Sequence, residues 1–194
     1  MKYKAKILFL LLFIASLGFA QQKEEREFRI DKEQFPKNAL QSLEPQLMDA
    51  RRVRYYKEID GDNISYEIKF KKRRAFYSVE FNEQGVLEDI EFVIKKIEIP
   101  EASYDRMNAY LKKHFEKFRI KKIQQQYPCA DAEDTQSTIY KAFQNLLIEG
   151  LNYEIVVSGK KQKEYRYYEL LFDAEGNFLL SRELLSTGYE HVLY

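Results

Sequence analysis

Apolar and polar residues alternate with a period of two in two stretches of the chain, which predicts antiparallel strands with one buried and one solvated face. In the first stretch the apolar positions are Ile64, Tyr66, Ile68, Phe70, Tyr77, Val79, Phe81, Ile90, Phe92 and Ile94. In the second they are Leu151, Tyr153, Ile155, Val157, Tyr168, Leu170, Phe172, Phe178 and Leu180. Val53, Tyr55 and Ile59 predict a further strand that leads into a hairpin turn over residues 60–63.

Three other stretches place apolar residues three and four positions apart, which predicts amphipathic helices with their apolar faces in the core. These faces are Phe35, Ala39, Leu40, Leu43 and Leu47; Tyr104, Met107, Leu111, Phe115 and Phe118; and Ile139, Ala142, Phe143, Leu146 and Leu147. Pro36 and Pro100 suit the first turns of the first two helices, and Pro45 is expected to bend or end the first one. Asp134 and Gly150 are the expected N-cap and stop of the third helix.

Two short motifs occur twice in the same order, which indicates an internal repeat. The Tyr-Glu-Ile of 66–68 is matched at 153–155, and the Phe-Asn-Glu-Gln-Gly of 81–85 is matched by the Phe-Asp-Ala-Glu-Gly of 172–176. The predicted fold class is therefore α+β, with two tandem units that each combine a helix with an antiparallel sheet. We expect the first unit to cover 21–97 and the second to cover 98–194, with the third helix as an insertion in the second unit.

The first twenty residues have the anatomy of a secretory signal peptide. Lys2, Lys4 and Lys6 precede an apolar run, and Gly18-Phe19-Ala20 offers small residues for a cleavage site after Ala20. An apolar run over 7–20 is shorter than the roughly 20 residues that a membrane-spanning helix requires. We therefore predict export to the periplasm or beyond, with no transmembrane span in the mature chain.

The composition describes a folded chain: of 194 residues, 45% are hydrophobic and 15% are aromatic, which excludes a disordered polar tract. The 32 Lys and Arg residues nearly balance 31 Asp and Glu residues, and cleavage would remove three of the lysines, so we expect no nucleic-acid partner. Cys129 is the single cysteine, so no internal disulfide can form, and we expect it to be an inert, small apolar residue.

No catalytic, cofactor-binding or metal-binding residues are predicted, and the chain is not expected to be an enzyme. It has no Gly-rich phosphate loop, no metalloprotease motif and no Gly-x-Ser-x-Gly motif. The acidic residues that follow Cys129 disfavour its thiolate, so pairing with His114 or His191 as a nucleophile is a poor hypothesis. The acidic turns at 60–63 and 173–177 lack the ligands of a calcium loop and are interpreted as ordinary turns.

Basic and aromatic residues recur at the two predicted hairpin tips that follow the Tyr-Glu-Ile strands. As candidate partner-binding residues we select Lys71, Lys72, Arg73, Arg74, Lys160, Lys161, Lys163, Tyr165 and Tyr167. One interpretation is a solvated tip that discourages edge pairing between sheets. The other is a contact surface for an anionic partner, since Arg and Tyr are enriched in interface hot spots. Arg52, Arg54 and Tyr56 form a third basic-aromatic patch, on the face opposite Val53 and Tyr55.

The two Tyr-Glu-Ile strands, each followed by an aromatic strand that ends in Phe-Asn/Asp-x-x-Gly, resemble the PepSY-like domains of exported bacterial proteins. That resemblance implies a fold similar to that of the beta-lactamase inhibitor protein, which has two tandem helix-plus-sheet units. It also implies a location in the envelope or outside the cell and a binding or inhibitory role. It transfers no catalytic residue and no cofactor.

Three functions therefore remain open at this point. The first is a non-catalytic binding module of the cell envelope that docks an unidentified envelope or secreted protein through a sheet face or through the basic hairpin tips. The second is an inhibitor of a periplasmic or secreted hydrolase, of the peptidase or beta-lactamase type. The third is an enzyme whose motif cannot be recognised, and a purely structural envelope component is a further alternative.

Overall fold

A computed structural model describes residues 21–23 and 26–184, so the predicted leader and its cleavage site lie outside the described residues. Within these ranges there are three α-helices: α1 (Lys37–Leu47), α2 (Glu101–His114) and α3 (Thr135–Phe143). The strands are β1 (Gln21–Lys23), β2 (Arg26–Ile30), β3 (Arg51–Asp60), β4 (Asn63–Lys72), β5 (Ala75–Asn82), β6 (Leu87–Val93), β7 (Lys117–Pro128), β8 (Asn152–Lys161), β9 (Glu164–Asp173) and β10 (Phe178–Leu184). No helix among the described residues is both long enough and apolar enough to cross a membrane.

All the strands belong to one sheet, which corrects the predicted fold class. From β2 to β10 every strand pairs antiparallel with its neighbour in the chain, and β1 adds parallel to β10. The protein is thus mostly β, with three short helices, and is not two tandem helix-plus-sheet units. The prediction failed at the middle of the sheet, where β6 pairs with β7 from Asp89–Pro128 to Val93–Gln124 and joins the two halves.

Strand β7 was not predicted because its sequence hides the alternation. A register shift between Ile120 and Lys122 inserts one extra residue, so the positions that face the core change parity within the strand. Gln125 then occupies a core position, where its Nε2 donates hydrogen bonds to the Tyr127 hydroxyl (2.6 Å) and to Asn145 Oδ1 (2.9 Å). A polar side chain that is buried in this way resembles a solvated position in the sequence pattern.

The helices cover one face of the sheet, and the predicted apolar positions form the core beneath them. Phe35, beside α1, lies edge-on to Tyr55, Tyr66 and Phe81, with ring centroids 5.4–6.0 Å apart. Phe143 of α3 stacks on Tyr77 at 4.6 Å. The large side chains that are fully buried include Phe70, Phe81, Phe172, Leu43, Ile68, Ile90, Met107, Leu111, Tyr127, Tyr153 and Ile155.

Pro45 lies inside α1, and the helix ends two residues after it, at Leu47. Two other details of the helices differ from the prediction. Phe118 belongs to β7 and not to the apolar face of α2. Helix α3 ends at Phe143 and does not continue to Gly150, because Asn145 adopts a left-handed φ of 52°, which leaves Leu146 and Leu147 outside the helix.

Each of the glycine turns that follow β5 and β9 is hydrogen-bonded to a helix. Asn38 Nδ2 of α1 donates a 2.9 Å hydrogen bond to the carbonyl of Gln84, and Ser103 Oγ of α2 donates a 2.8 Å hydrogen bond to the carbonyl of Ala174. Gly176 has a φ of +84°, and a Cβ at this position would lie 2.2 Å from the backbone oxygen of Ser103. The repeated Phe-Asn/Asp-x-x-Gly motif is thus the place where a helix is fixed over the sheet.

The sheet curls so that its two edges approach each other. Strands β1 and β2 lie at opposite ends of the strand order, yet only residues 24 and 25 separate them in the chain. Three peptide links span at most about 11 Å, so the edge at β10 and the edge at β2 must come this close where the N-terminal segment crosses. The face without helices is therefore the inside of a curved sheet.

Candidate functional site

The face of the sheet that carries no helix encloses a broad groove of about 2060 Å³, which we call the trough. Strands β2 to β10 all contribute side chains to it, at the positions that alternate with the core positions. Its acidic residues are Glu27, Glu58, Asp60, Asp62, Glu67, Glu80, Glu83, Glu88, Asp89, Glu91, Glu154 and Glu169. Its basic residues are Arg52, Arg54, Lys69, Lys121, Lys122 and Arg182, so carboxyl groups outnumber cations by twelve to six.

One end of the trough contains a network of three carboxyl groups around one ammonium group. Lys69 Nζ forms ion pairs with Glu27 and with Glu67, the second at 2.7 Å, and the Ser78 hydroxyl donates to Glu67. Burial alone would raise the pKa of Glu67, but the Lys69 ammonium and the hydrogen bonds from Glu58, Lys69 and Ser78 hold it below its usual value. Glu67 is therefore ionised at neutral pH.

Glu58 has the opposite protonation state. Its side chain is buried, with 7% of the residue exposed, and this burial together with the negative charge of Glu67 raises the pKa of Glu58 to about 11. Glu58 is thus a neutral acid at physiological pH and donates its proton to Glu67. The two carboxyl groups share one proton, as adjacent acids must when both are removed from water.

Glu27, Glu58 and Glu67 lie close enough together to hold a metal ion, since one oxygen of each lies within 4.8 Å of the others. However, Lys69 already supplies the positive charge between Glu27 and Glu67. A cation would have to displace that ammonium group and deprotonate Glu58. The cluster is therefore better described as a structural ion-pair network than as a metal centre.

The protonated state of Glu58 leads to a testable prediction. A carboxyl group whose folded pKa is raised binds a proton in the folded state that the unfolded state has released, so stability falls as pH rises between about 4.5 and 11. Glu58→Gln keeps a neutral hydrogen-bond donor for Glu67 but has no group that titrates, so it removes the fall in stability that Glu58 causes as pH rises. We expect its free energy of unfolding to exceed that of the parent by about 1 kcal/mol at pH 7.

This gain is measured by urea unfolding at pH 4, 7 and 8.5, with the exposed Glu133→Gln as the control variant. The gain should shrink towards pH 4, where the unfolded carboxyl also holds its proton, and should grow from pH 7 to pH 8.5. A stability difference between Glu58→Gln and the parent that does not change from pH 4 to pH 8.5 would contradict a protonated Glu58 in the folded protein.

A second acidic group lies at the centre of the trough, where β6 presents Asp89 and Glu91. Gln126 Nε2 of β7 donates to Asp89 Oδ2 at 3.0 Å and to Glu91 Oε1 at 3.1 Å, and so bridges the two carboxyl groups. Gln124 Nε2 donates to Glu91 Oε2 at 2.7 Å. Burial and the neighbouring charges of Glu80 and Glu154 raise the pKa of Asp89 well above its usual value, and burial together with Asp89 raises that of Glu91 to about 8.

The structure places the two predicted hairpin tips at the same end of the sheet. Residues 73–74 join β4 to β5, and residues 162–163 join β8 to β9. The strand order puts the centres of the two hairpins four strand spacings apart, which is about 19 Å along the sheet. Arg73 and Arg74 are exposed, and Tyr165 is 60% exposed.

Several of the basic residues selected from the sequence are held by contacts within the protein. Lys72 pairs with Asp49 and donates a 2.9 Å hydrogen bond to the carbonyl of Gln46. The ammonium of Lys160 lies 3.5 Å from Glu116. The ammonium of Lys71 lies over the Phe76 ring, that of Lys161 over the Phe115 and Tyr168 rings, and that of Lys121 over the Tyr167 ring. The backbone N–H of Lys163 donates to Glu116. A partner-binding role for the tips stays a prediction.

The trough was not identified from the sequence, although one pattern could have indicated it. Ser65, Glu67 and Lys69 were placed on the face opposite the core, and this is correct, but that face was expected to be solvated. Glu67 is instead buried, because the sheet curls around this face. The third basic-aromatic patch, at Arg52 and Arg54, lines the same trough. The informative pattern was the excess of carboxylates at the outward positions of successive strands.

The comparisons with known proteins concern the fold alone. No protein-family model matches the chain, and no curated protein matches it in sequence. A presumed periplasmic protein from Bacteroides eggerthii superposes with a TM-score of 0.53 at 14% identity, over 77% of this chain and 89% of the other. A DUF2874 family protein from Bacteroides uniformis gives a TM-score of 0.51 at 14% identity, over 77% and 89%.

A protein from Bacteroides fragilis that is described as BLIP-like, after the beta-lactamase inhibitor protein, gives a TM-score of 0.48 at 12% identity, over 77% of this chain and 86% of the other. At 14% identity the similarity to the proteins from Bacteroides eggerthii and Bacteroides uniformis shows a shared fold and says nothing about activity. The resemblance to PepSY-like domains is not confirmed by these comparisons.

Proposed function

We propose that the protein is an exported, non-catalytic binding module that receives part of a protein partner in its trough. The observation that carries this proposal is the uncovered, concave face of the sheet, whose volume is about 2060 Å³. Small-molecule sites usually measure about 300–1,000 Å³ and are mostly apolar. A trough of twice that size, lined by charged groups, is better suited to a polypeptide segment.

Export is supported by two observations. The sequence begins with a basic and then apolar segment of the secretory type, for which we predict cleavage after Ala20. The protein of similar fold from Bacteroides eggerthii is itself described as a presumed periplasmic protein. We therefore look for the partner among envelope and secreted proteins.

Site-specific photo-crosslinking in the native envelope tests the use of the trough. The cross-linking residue replaces Leu171, which lines the trough, or Tyr140 on α3, which is 63% exposed on the helix side and serves as the matched control. We expect a discrete cross-linked partner from position 171 and none from position 140. Cross-links that form from position 140 alone would contradict the proposal.

The hairpin tips are proposed as an auxiliary contact for an anionic part of the partner. The double variant Arg73→Glu and Arg74→Glu reverses the charge at one exposed tip. We expect it to lower the yield of the cross-link at position 171 at least threefold, because electrostatic complementarity accelerates encounter. Lys112→Glu with Lys113→Glu changes the same charge on exposed residues of α2 and should leave the yield unchanged. An equal yield from both double variants would assign no binding role to the tip.

A narrower candidate is inhibition of an exported hydrolase. It is favoured by the placement of both hairpin tips at one end of the sheet, about 19 Å apart by strand spacing, from which they could enter a cleft together. A panel of peptidases and beta-lactamases, assayed with and without micromolar protein, tests this candidate. Inhibition that is lost in the Arg73→Glu and Arg74→Glu variant would support the inhibitor candidate. If no enzyme is inhibited, this candidate is rejected and a binding role without inhibition remains.

A further inference from the structure

Gln124 presents an unsatisfied hydrogen-bond acceptor to the trough. The residue is 4% exposed and lies in the middle of β7, where its Nε2 donates to Glu91. That bond orients the amide, so that the other atom, Oε1, is the acceptor, and Oε1 has no donor among the described residues. Buried polar atoms nearly always have a partner, so this oxygen is open to a donor from outside the chain, whether a water molecule or a group of a partner.

The charges around Gln124 specify what kind of donor fits. Glu91 of β6 accepts from both Gln124 and Gln126, and Gln126 also donates to Asp89. Glu80 lies opposite Asp89 in the register of β5 and β6, Glu154 lies opposite Gln124 on β8, and the charge of Glu169 on β9 acts on Glu91. Two cations lie in the same part of the trough: Lys122, which is 3.9 Å from Glu154, and Arg182. The carboxyl groups there outnumber them, so a donor that also carries positive charge would reduce the repulsion among the carboxylates.

We infer that the partner segment is basic and that one of its lysine or arginine side chains binds at the centre of the trough, beside Gln124 and Glu91, in the field of the neighbouring Asp89. This inference rests on the proposed function. The ammonium or guanidinium group donates to Gln124 Oε1 and forms charge-assisted hydrogen bonds with the carboxylates. Such bonds are shorter and stronger than neutral ones, and a guanidinium or ammonium group has no acceptor that would repel the oxygens.

A basic polypeptide fits the trough better than a small cation does. The carboxyl groups come from strands β2 to β6, β8 and β9 and from adjoining turns, and are not confined to one cluster. Several cations that are spaced along one chain can neutralise charges at several strands, which a single ion cannot do. The long apolar stems of lysine and arginine also let the charge reach deep positions while the backbone remains near the mouth of the trough.

Calorimetry with a defined probe tests the inference. The probe is pentalysine with blocked termini, and the comparison probes are the same peptide with acetylated side chains and the free polyamine spermidine. We expect pentalysine to bind the parent protein and the acetylated peptide not to bind. The double variant Asp89→Asn and Glu91→Gln should weaken pentalysine binding at least tenfold.

The control variant is Glu133→Gln with Glu149→Gln, which removes the same charge from two exposed residues outside the trough. It should weaken binding less than twofold. Gln124→Leu, which removes the acceptor without a change of charge, should weaken binding severalfold. Thermal unfolding of each variant verifies that it is folded at the temperature of the titration.

Proton release gives a second readout. Burial and the charges of Asp89, Glu169 and Glu80, opposed by Lys122, raise the pKa of Glu91 to about 8, so Glu91 is mostly protonated at neutral pH, and a bound cation favours its ionised form. Titration in two buffers of different ionisation enthalpy should therefore show protons released on binding by the parent. The Asp89→Asn and Glu91→Gln variant should release fewer.

The inference is overturned if pentalysine does not bind the parent, or if the control and the trough variants weaken binding equally. Spermidine that binds as tightly as pentalysine would assign the site to a free polyamine and not to a polypeptide. If the cross-link at position 171 persists in the Asp89→Asn and Glu91→Gln variant, the binding module stands and the cation site fails. Without any cross-link from position 171, the binding module itself fails.

Discussion

Gly176→Ala should lower the free energy of unfolding by about 3 kcal/mol, because the new Cβ meets the backbone and not a movable side chain. The built Cβ lies 2.2 Å from the oxygen and 2.9 Å from the carbon of the Ser103 carbonyl. The turn can accept it only if α2 moves away from the sheet, which breaks the hydrogen bond from Ser103 Oγ to Ala174. Chemical denaturation of the two proteins at pH 7 measures the difference.

Substitutions at two other glycines distinguish the clash of the added Cβ from the strain of a left-handed φ. Gly61 has a similar left-handed φ of +61°, but a Cβ there has nothing within 4 Å, so Gly61→Ala should cost about 1 kcal/mol. Gly85→Ala should fall between the two, because its Cβ meets the Asn38 side chain at 2.3 Å, and that side chain can rotate. Equal losses at 61 and 176 would mean that the close approach of α2 to the turn has no energetic role.

Lys69→Met should lower the free energy of unfolding by about 3 kcal/mol at pH 7, since the removal of one member of a buried ion pair leaves the other charge unpaired. Here two carboxylates lose their partner: Glu27 and Glu67, whose side chains are 10% and 12% exposed. The carboxyl of Glu58 cannot replace the ammonium, because it is already neutral and donates to Glu67.

The pH dependence of this loss follows from the two pKa shifts. The folded pKa of Glu67 is lowered, so its contribution is present above about pH 4.5 and is lost as pH falls through the folded pKa. The folded pKa of Lys69 is raised, so its contribution is present below about pH 10.5 and is lost at higher pH. The effect of Lys69→Met should thus be greatest between about pH 5 and 9.

Lys121→Met, a change of the same kind on an exposed residue that also lines the trough, provides the matched control and should cost less than about 0.5 kcal/mol. The double variant Lys69→Met with Glu67→Gln should recover part of the stability that Lys69→Met loses, because it removes the Glu67 carboxylate charge that has lost the Lys69 ammonium. If Lys69→Met is as stable as the parent at pH 7, the network around Lys69 does not stabilise the fold.

The elements that the sequence predicts well are those whose residues act locally. Pro36 and Pro100 precede helices, and the alternation of Ile64 to Phe70 gives a strand with its apolar side in the core. The repeated Phe-Asn/Asp-x-x-Gly motif predicted turns, and turns are found. In each of these cases the conformational preference and the burial pattern point in the same direction within a few residues.

The features that escaped prediction depend on pairing between distant residues. The bulge between Ile120 and Lys122 and the buried Gln125 hide β7, and without β7 the sheet divides into two at the wrong place. The trough depends in turn on how far the whole sheet curls, which no single strand encodes. Gln124 shows the same limit, since a glutamine in a polar run carries no sequence pattern that marks it as 4% exposed.

The pairing of β1 with β10 has a consequence for the order in which the protein folds. The other strand pairs form between chain neighbours, through a short turn or across a single helix, so each closes a loop much shorter than the one from β1 to β10. Gln21 can find Arg182 only after both ends of this series are in place. The amide protons of Gln22 and Lys23 should therefore be the last to gain protection in pulsed hydrogen exchange, and their protection would report that the two edges have met.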